Sequence, residues 1–310
     1  MRVAALAGGV GAGKFLRGLV RTVAPEDVTV VGNTGDDIEV HGLHVSPDLD
    51  SVMYWLAGVA DRERGWGREG ETFRATEELR RLGVEGSWFG LGDLDLATHL
   101  RRTSLMRTGR SLSEATAELC RQFGVPARVL PMSEEPAATE MRIVDHDRGD
   151  VFIHFQEYWV QRGAADDLKS IRYGGERVRP APGVVEAIES ADAVVICPSN
   201  PVASIAPILA VPGIRDAVRR SSSVVGISPI VGGAPLRGMA DKLMPTAGFE
   251  VTAVGAAEFY GDLLGAWVID ERDRSLAGWT GGPRVGVTDT VMDDDAKAEA
   301  LARFALELVG

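Results

Sequence analysis

The chain is poor in cysteine. Cys120 and Cys197 are the only two in 310 residues, too few for a disulfide framework and without metal-ligand spacing. Both lie in apolar patterns, so buried thiols are expected. Basic charge is also short: 33 Lys and Arg stand against 45 Asp and Glu, a net charge of −12. That balance argues against nucleic acid or an anionic membrane as the main partner. No stretch is long and apolar enough to span a bilayer. The apolar start is too short for a signal peptide and turns to glycine, so a cytoplasmic protein is expected. Neither a repeat of fixed period nor a low-complexity tract is present. The length suits one large α/β domain, or two small ones, with a sizeable core.

What is present begins at the amino terminus. Val3 to Ala7 is a short apolar run, read as a buried strand, and it enters Gly8-Gly9-Val10-Gly11-Ala12-Gly13-Lys14. Phe15-Leu16 and Leu19-Val20 then open a helical pattern. Strand, glycine turn and helix build an anion site, because glycines allow close backbone approach and the first helical N–H groups lack internal partners. Gly8 to Lys14 fits the G-x-x-x-x-G-K part of a phosphate loop, but Phe15 stands where Ser or Thr would ligate magnesium. The pattern G-x-G-x-x-G fails, since the glycine after Gly9 and Gly11 falls at Gly13. Neither an ordinary NTPase nor an ordinary nicotinamide enzyme is expected; a plain tight turn is the bland alternative.

Val28 to Val31 reads as a second strand, ending in the polar turn Gly32-Asn33-Thr34-Gly35-Asp36-Asp37. In an open parallel sheet, ligands bind beyond the carboxyl ends of strands, so both turns are delivered to one rim. Ser46 and Pro47 suit the cap and first position of a helix, which puts Asp48 and Asp50 in its first turn. Those two carboxylates either favour the helix dipole, at about 0.3–1 kcal/mol each, or join Asp36 and Asp37 around magnesium.

Residues 61–70 read as a loop or lid, and 72–82 as an exposed helix. Trp88 to Asp95 is glycine-rich and leads to a helix bearing His99, which Asp93 could cap. Arg101, Arg102, Arg107 and Arg110 read as a solvated basic face that could also attract phosphate. Ser111 and Glu114 form a capping box for a scaffold helix ended by Gly124. Residues 141–144 and 151–155 read as a β-hairpin, near His146 and His154, which lack metal spacing. Residues 161–183 show no clear period and are expected to link or cover. From Val185 onward, strand, polar loop and helix alternate again, with strands at 193–197, 223–227, 266–269 and 285–287 and a last helix over 293–309. The expected fold is α/β: a Rossmann-like, mainly parallel sheet flanked by helices, carried by residues 1–310 as one unit with an inserted helical and hairpin region over about 60–180.

Seven segments come in one order and spacing: Gly8-Gly9-Val10-Gly11; Asn33 with Gly35-Asp36-Asp37; Ser46-Pro47-Asp48-Leu49-Asp50; Leu91-Gly92-Asp93 through Ala97-Thr98-His99; His154-Phe155-Gln156-Glu157; Pro198-Ser199-Asn200-Pro201; and Ser228-Pro229-Ile230. Together they resemble the 2-phospho-L-lactate transferase family of deazaflavin coenzyme biosynthesis, over nearly the whole chain. Its bacterial branch is called the phosphoenolpyruvate transferase, and Trp88-Phe89-Gly90 leans toward that branch. The resemblance implies a magnesium-dependent enzyme that joins the deazariboflavin FO to a three-carbon acid carried on a guanosine diphosphate-linked donor. The ribityl hydroxyl attacks the phosphorus nearer the acid and GMP leaves. The product is coenzyme F-420-0 or its dehydro form, and a homodimer is implied.

On this resemblance Asp37 and Asp50 are the catalytic candidates, and Asp37, Asp48 and Asp50 the magnesium ligands. Gly8, Gly9, Gly11, Lys14 and Asn33 would hold the diphosphate side. Asp48, Asp50, Gly90, Asp93 and His99 would serve the ion or FO. Ser199, Asn200, Ser228, Pro229 and Gly232 would line the guanosine side. The sequence departs from the family pattern at Leu94, where a basic residue is common, and at Lys14, where bacterial relatives often carry arginine. The alternative function is a non-catalytic nucleotide or sugar-nucleotide binding regulator of the same fold. A nicotinamide dehydrogenase is disfavoured by the glycine spacing and by Asn33 where an acidic ribose partner would stand.

Overall fold

The computed structural model describes residues 1–310. Its strands are β1 (Val3–Ala7), β2 (Val28–Gly32), β3 (Ile38–Val40), β4 (Leu43–Val45), β5 (Arg128–Pro131), β6 (Thr139–Asp145), β7 (Gly149–His154), β8 (Leu168–Tyr173), β9 (Ala193–Ile196), β10 (Val224–Ile227), β11 (Ile230–Val231), β12 (Ala234–Pro235), β13 (Ala266–Asp270) and β14 (Arg284–Thr288). Seven form the main sheet in the order β14-β13-β10-β9-β1-β2-β5, every neighbouring pair parallel. The runs VAALA, AVVI, VVGI and AWVID are buried along their whole length. Continuous apolar strands are what a parallel sheet needs when helices cover both faces.

Alternate residues feed two cores. Val3, Ala5 and Ala7 point to a layer built from Phe15, Leu19, Val52, Met53, Leu119 and Leu301. Ala4 and Leu6 point to the other, built from Ile188, Ile205, Ile208, Val218, Leu243 and Ala256. The first layer holds the helices Gly9–Thr22, Pro47–Ala57, Leu112–Phe123 and Asp295–Glu307. Gly18 lets the first and last of these touch: a Cβ there would lie 2.1 Å from the Ala298 carbonyl.

The chain runs outward through β1, β2 and β5, then crosses to β9 and runs the other way. The order therefore reverses between β1 and β9, which is where an open α/β sheet leaves a crevice for a ligand. No single helix is long and apolar enough to cross a membrane. The capping box at Ser111 and the left-handed Gly124 end their helix as expected.

Two expectations are corrected and one element is added. The stretch 161–183 contains β8, which pairs with β6 and turns the expected hairpin into a three-stranded sheet, β7-β6-β8. A small hairpin, β3–β4, follows Asp37 in a stretch that carried no assignment from the sequence. The region 60–180 is interrupted, because β5 is the edge strand of the main sheet and the helix before it packs into the main core.

Candidate active site

The glycine segment is not a loop. Gly8 is the extended N-cap and the helix starts at Gly9. At the crevice, the Gly8 N–H donates to Ser199 Oγ at 3.3 Å. A Cβ on Gly11 would sit 2.2 Å from the Pro198 carbonyl oxygen, so only glycine lets the turns after β1 and β9 meet. A Cβ on Gly8 would fall 2.2 Å from an Asp48 carboxylate oxygen, which shows Asp48 lying across this turn.

Asn33 fastens Asp48 there. Its Nδ2 donates to Asp48 Oδ2 at 2.9 Å and to the Ala203 carbonyl at 3.3 Å, and its Oδ1 accepts from the Gly35 N–H at 2.7 Å. Asp36 is buried beside it and takes Gln156 Nε2 at 3.2 Å. Asp37 accepts from Ser46 Oγ at 2.8 Å and meets His44 Nε2 at 2.9 Å. His154 Nε2 lies 3.0 Å from the Asp37 carbonyl. The β6–β8 sheet thus grips the acidic turn through His154 and Gln156.

Too many carboxylates share this place. Burial, and then the charges of Asp48 and Asp37, push the Asp36 carboxyl well above the ordinary range. Burial pushes Asp48 up to about 6, against hydrogen bonds from Asn33 and Ser204. Burial also raises Asp37, held back by His44 and Ser46, and its Oδ1 is buried without a hydrogen-bond partner. These hard oxygen donors do not all come within 4.8 Å of one another, so a hard cation here would be held by one or two of them together with other ligands.

Asp50 belongs to a second nest. Both its oxygens are taken by Arg102, Nη1 at 3.0 Å from Oδ2 and Nη2 against Oδ1. Arg102 is 1% exposed, which corrects its reading as part of a solvated basic face. His99, also buried, lies with Nδ1 3.6 Å from Asp50 and Nε2 3.3 Å from Asp95 Oδ1. Tyr54 donates to Asp95 at 2.6 Å. The ligand atoms of Asp50, Asp95 and His99 lie within 4.8 Å of one another, a spacing that could hold a metal ion. Asp37 and Asp48 are not in that trio, so the three expected magnesium ligands do not close on one point. Asp95, His99 and Arg102 share one helix face at spacings of four and three, and that polar stripe was the overlooked signal.

Other expected site residues are placed variously. Lys14 is about one and a half turns into the helix, donating to the Met292 carbonyl at 3.3 Å and lying 5.5 Å from the Trp55 ring centre. It lines a recess with Arg17, Arg62 and Asp293–Asp295 rather than the Gly8–Asp48 crevice. Asp93 takes Thr72 Oγ1 and the N–H groups of Arg74 and Ala75, so it caps the neighbouring helix Arg74–Arg81 and not its own. Gly90 faces open space. Ser199 meets Gly8 as described, while Asn200 accepts from the N–H groups of Val202 and Ala203. Ser228 turns onto Ile230, with Pro229 between them. The left-handed Gly232 donates to Asp273 Oδ2 at 2.8 Å.

Comparison with known proteins bears on the family and the fold. The family described as "2-phospho-L-lactate transferase CofD" matches residues 3–298. A phosphoenolpyruvate transferase of Kitasatospora aureofaciens is 48% identical over 99% of this chain and 98% of its own. One from Streptomyces griseus is 49% identical with the same coverage. One from Mycolicibacterium smegmatis is 42% identical over 100% of this chain and 99% of its own. Among solved structures, a member of the upf0052 family from Bacillus halodurans superposes with a TM-score of 0.61 at 18% identity, covering 98% of this chain and 99% of that one. That likeness bears on the fold.

Proposed function

We infer, from the premise that the chain belongs to the 2-phospho-L-lactate transferase family, that it transfers a phosphoenolpyruvyl or 2-phospholactyl group in coenzyme F-420 biosynthesis. In the finer reading the donor is guanosine diphosphate-linked, the acceptor is the ribityl hydroxyl of FO, and GMP leaves. The observation that carries it is the juxtaposition of Asp48 with the Gly8 helix start at the strand-order reversal.

Such a transfer needs positioning and neutralised charge more than covalent help. The N–H groups at the start of the Gly9–Thr22 helix face the crevice and can bind phosphate oxygens. Asp37 and Asp48 would hold magnesium, which is commonly bound by one or two carboxylates plus substrate phosphates, so a three-carboxylate cage is not needed. When bound, the ion supplies charge neutralisation on the transferring phosphoryl group. Asn33 keeps the Asp48 carboxylate on that side. Asp50, held by Arg102, would serve the acceptor hydroxyl. A Cβ at Gly90 would meet no neighbour, so nothing there blocks an acceptor. Lys14 is left out of the diphosphate site on this geometry. The resemblance also supports a cytoplasmic homodimer.

The test is release of GMP by the full chain with FO, magnesium and either the enolpyruvyl or the lactyl donor. GMP formed only when all three are present is the expected result. Silence with both donors would contradict the reading and favour a nucleotide-binding regulator, which should also fail to bind FO by calorimetry.

A further inference from the structure

We propose that Arg102 is a positioning residue: it fixes the Asp50 carboxylate for the acceptor and fills the cation place among Asp50, Asp95 and His99, leaving the reaction's metal to the Asp37–Asp48 side. The proposal rests on the transferase reading above.

The geometry has three parts. First, the guanidinium occupies both Asp50 oxygens from a position 1% exposed to solvent, a two-point grip that sets the plane of the carboxylate as well as its distance. Second, Arg102 Nη1 lies 3.3 Å from His99 Nδ1. Arginine only donates, so Nδ1 accepts and the proton of the neutral imidazole sits on Nε2, which lies 3.3 Å from Asp95 Oδ1 without a hydrogen bond to it. Third, Tyr54 donates to Asp95 from the helix that also carries Asp50, so the helices Pro47–Ala57 and Asp93–Arg107 are joined by two polar links, Arg102 to Asp50 and Tyr54 to Asp95, with His99 lodged between them. A metal among these three ligand groups would have to share them with a guanidinium already in contact with two.

A buried ion pair is a poor device for stability alone, since apolar side chains of similar volume often do as well. Fixing an orientation is what it does better. Asp50 and Asp48 leave the same helical turn in different directions, one held by Arg102 and the other by Asn33. That separation sorts one carboxylate to the acceptor and one to the ion.

The experiment compares the unsubstituted chain with Arg102→Lys, Arg102→Met, Asp50→Asn and the double variant Asp50→Asn/Arg102→Met. It reads GMP release with magnesium, the magnesium activation constant, and FO affinity by calorimetry. Arg102→Met is expected to lower kcat about 100-fold or more and weaken FO about tenfold, with the magnesium activation constant unchanged within about twofold. Arg102→Lys should recover about tenfold of the lost kcat, because it restores charge without the two-point grip. The double variant should be no worse than Asp50→Asn. A folded Arg102→Met with unaltered kcat and FO affinity would overturn the proposal. So would a magnesium constant that moves with kcat, which would put the ion in the Arg102 nest. Should Arg102→Met not fold, Arg102→Lys decides: reduced kcat at an unchanged melting temperature supports the role, and unaltered kcat removes it. Turnover by the unsubstituted chain is read first. Its absence removes the transferase reading and this role with it, whereas normal turnover with insensitive variants removes this role alone.

Discussion

Two groups of acidic side chains leave neighbouring segments of this chain and are completed differently. Around Asp50 and Asp95 the fold supplies its own cation, Arg102, together with His99 and Tyr54. Although burial works against it, these contacts bring Asp95 below the ordinary carboxylate range. Around Asp36, Asp37 and Asp48 the fold supplies amide, hydroxyl and imidazole partners but no arginine or lysine contact. There the carboxyls are raised and one Asp37 oxygen is unpartnered. The first nest carries its own counter-charge, and on the proposed reading the second is the one completed by an incoming cation and its phosphate. A divalent ion held about 4 Å from a guanidinium at an effective dielectric of about 20 would be repelled by roughly 8 kcal/mol, which weighs against a metal in the first nest; the Arg102 charge reaches Asp37 as well, but without contact.

The largest effect that would sharpen this contrast is on turnover. Asp48→Ala should lower kcat at least about 10³-fold while the melting temperature holds or rises, because a destabilised carboxylate is removed. An unaltered rate would place the ion elsewhere.

Next comes the pH dependence of stability without metal. The folded Asp48 carboxyl titrates at about 6 against an ordinary 3.8. Between these values the folded chain holds the proton more often than the unfolded chain. The contribution of Asp48 therefore falls as pH rises through that window and stays at its lowest above it, by at most about 3 kcal/mol. Denaturation of the metal-free chain at pH 4 and pH 7 should show Asp48→Asn gaining stability relative to the parent only at the higher pH. An equal difference at both pH values would break the account of the open nest.

A smaller effect concerns the seam under that nest. Gly11→Ala drives a Cβ against the Pro198 carbonyl and should cost about 1–3 kcal/mol in chemical denaturation. Gly90→Ala, which meets open space, should stay within about 0.5 kcal/mol. Equal costs would mean that the β1–β9 junction is not tight. The smallest effect is expected for Lys14→Ala. Its amine is bound to the Met292 carbonyl, so kcat/KM should change less than about fivefold. A 100-fold loss would return Lys14 to the donor site.

Much of this was legible in the sequence where one principle dominated. Continuous apolar runs such as Ala193–Ile196 located the buried strands, and Ser111 with Glu114 located a helix start. The parallel rim then followed, and with it the delivery of the turns after β1, β2 and β9 to one edge of the sheet. Half-buried elements without clean alternation were not legible. In β8, Lys169 and Arg172 sit at exposed positions among partly covered ones, so no clean alternation marks the strand. Arg102 was hidden by Arg101 beside it. Adjacent arginines read as a charged surface, yet on a helix they point about 100° apart, and Arg102 turns to the Asp95–His99 face. Asp93 was misassigned because its helix cap lies across a chain turn, on the helix before its own. Sequence spacing reports neighbours along an element, and these three contacts lie between elements.

The most direct test of the contrast between the nests is the position of Mn2+ by anomalous scattering in crystals grown with the metal and a guanosine diphosphate-linked donor analogue. The account predicts a peak within about 2.5 Å of an Asp37 or Asp48 oxygen and beside the start of the Gly9–Thr22 helix, with the Arg102–Asp50 pair intact. A peak among Asp50, Asp95 and His99, with Arg102 displaced, would contradict it.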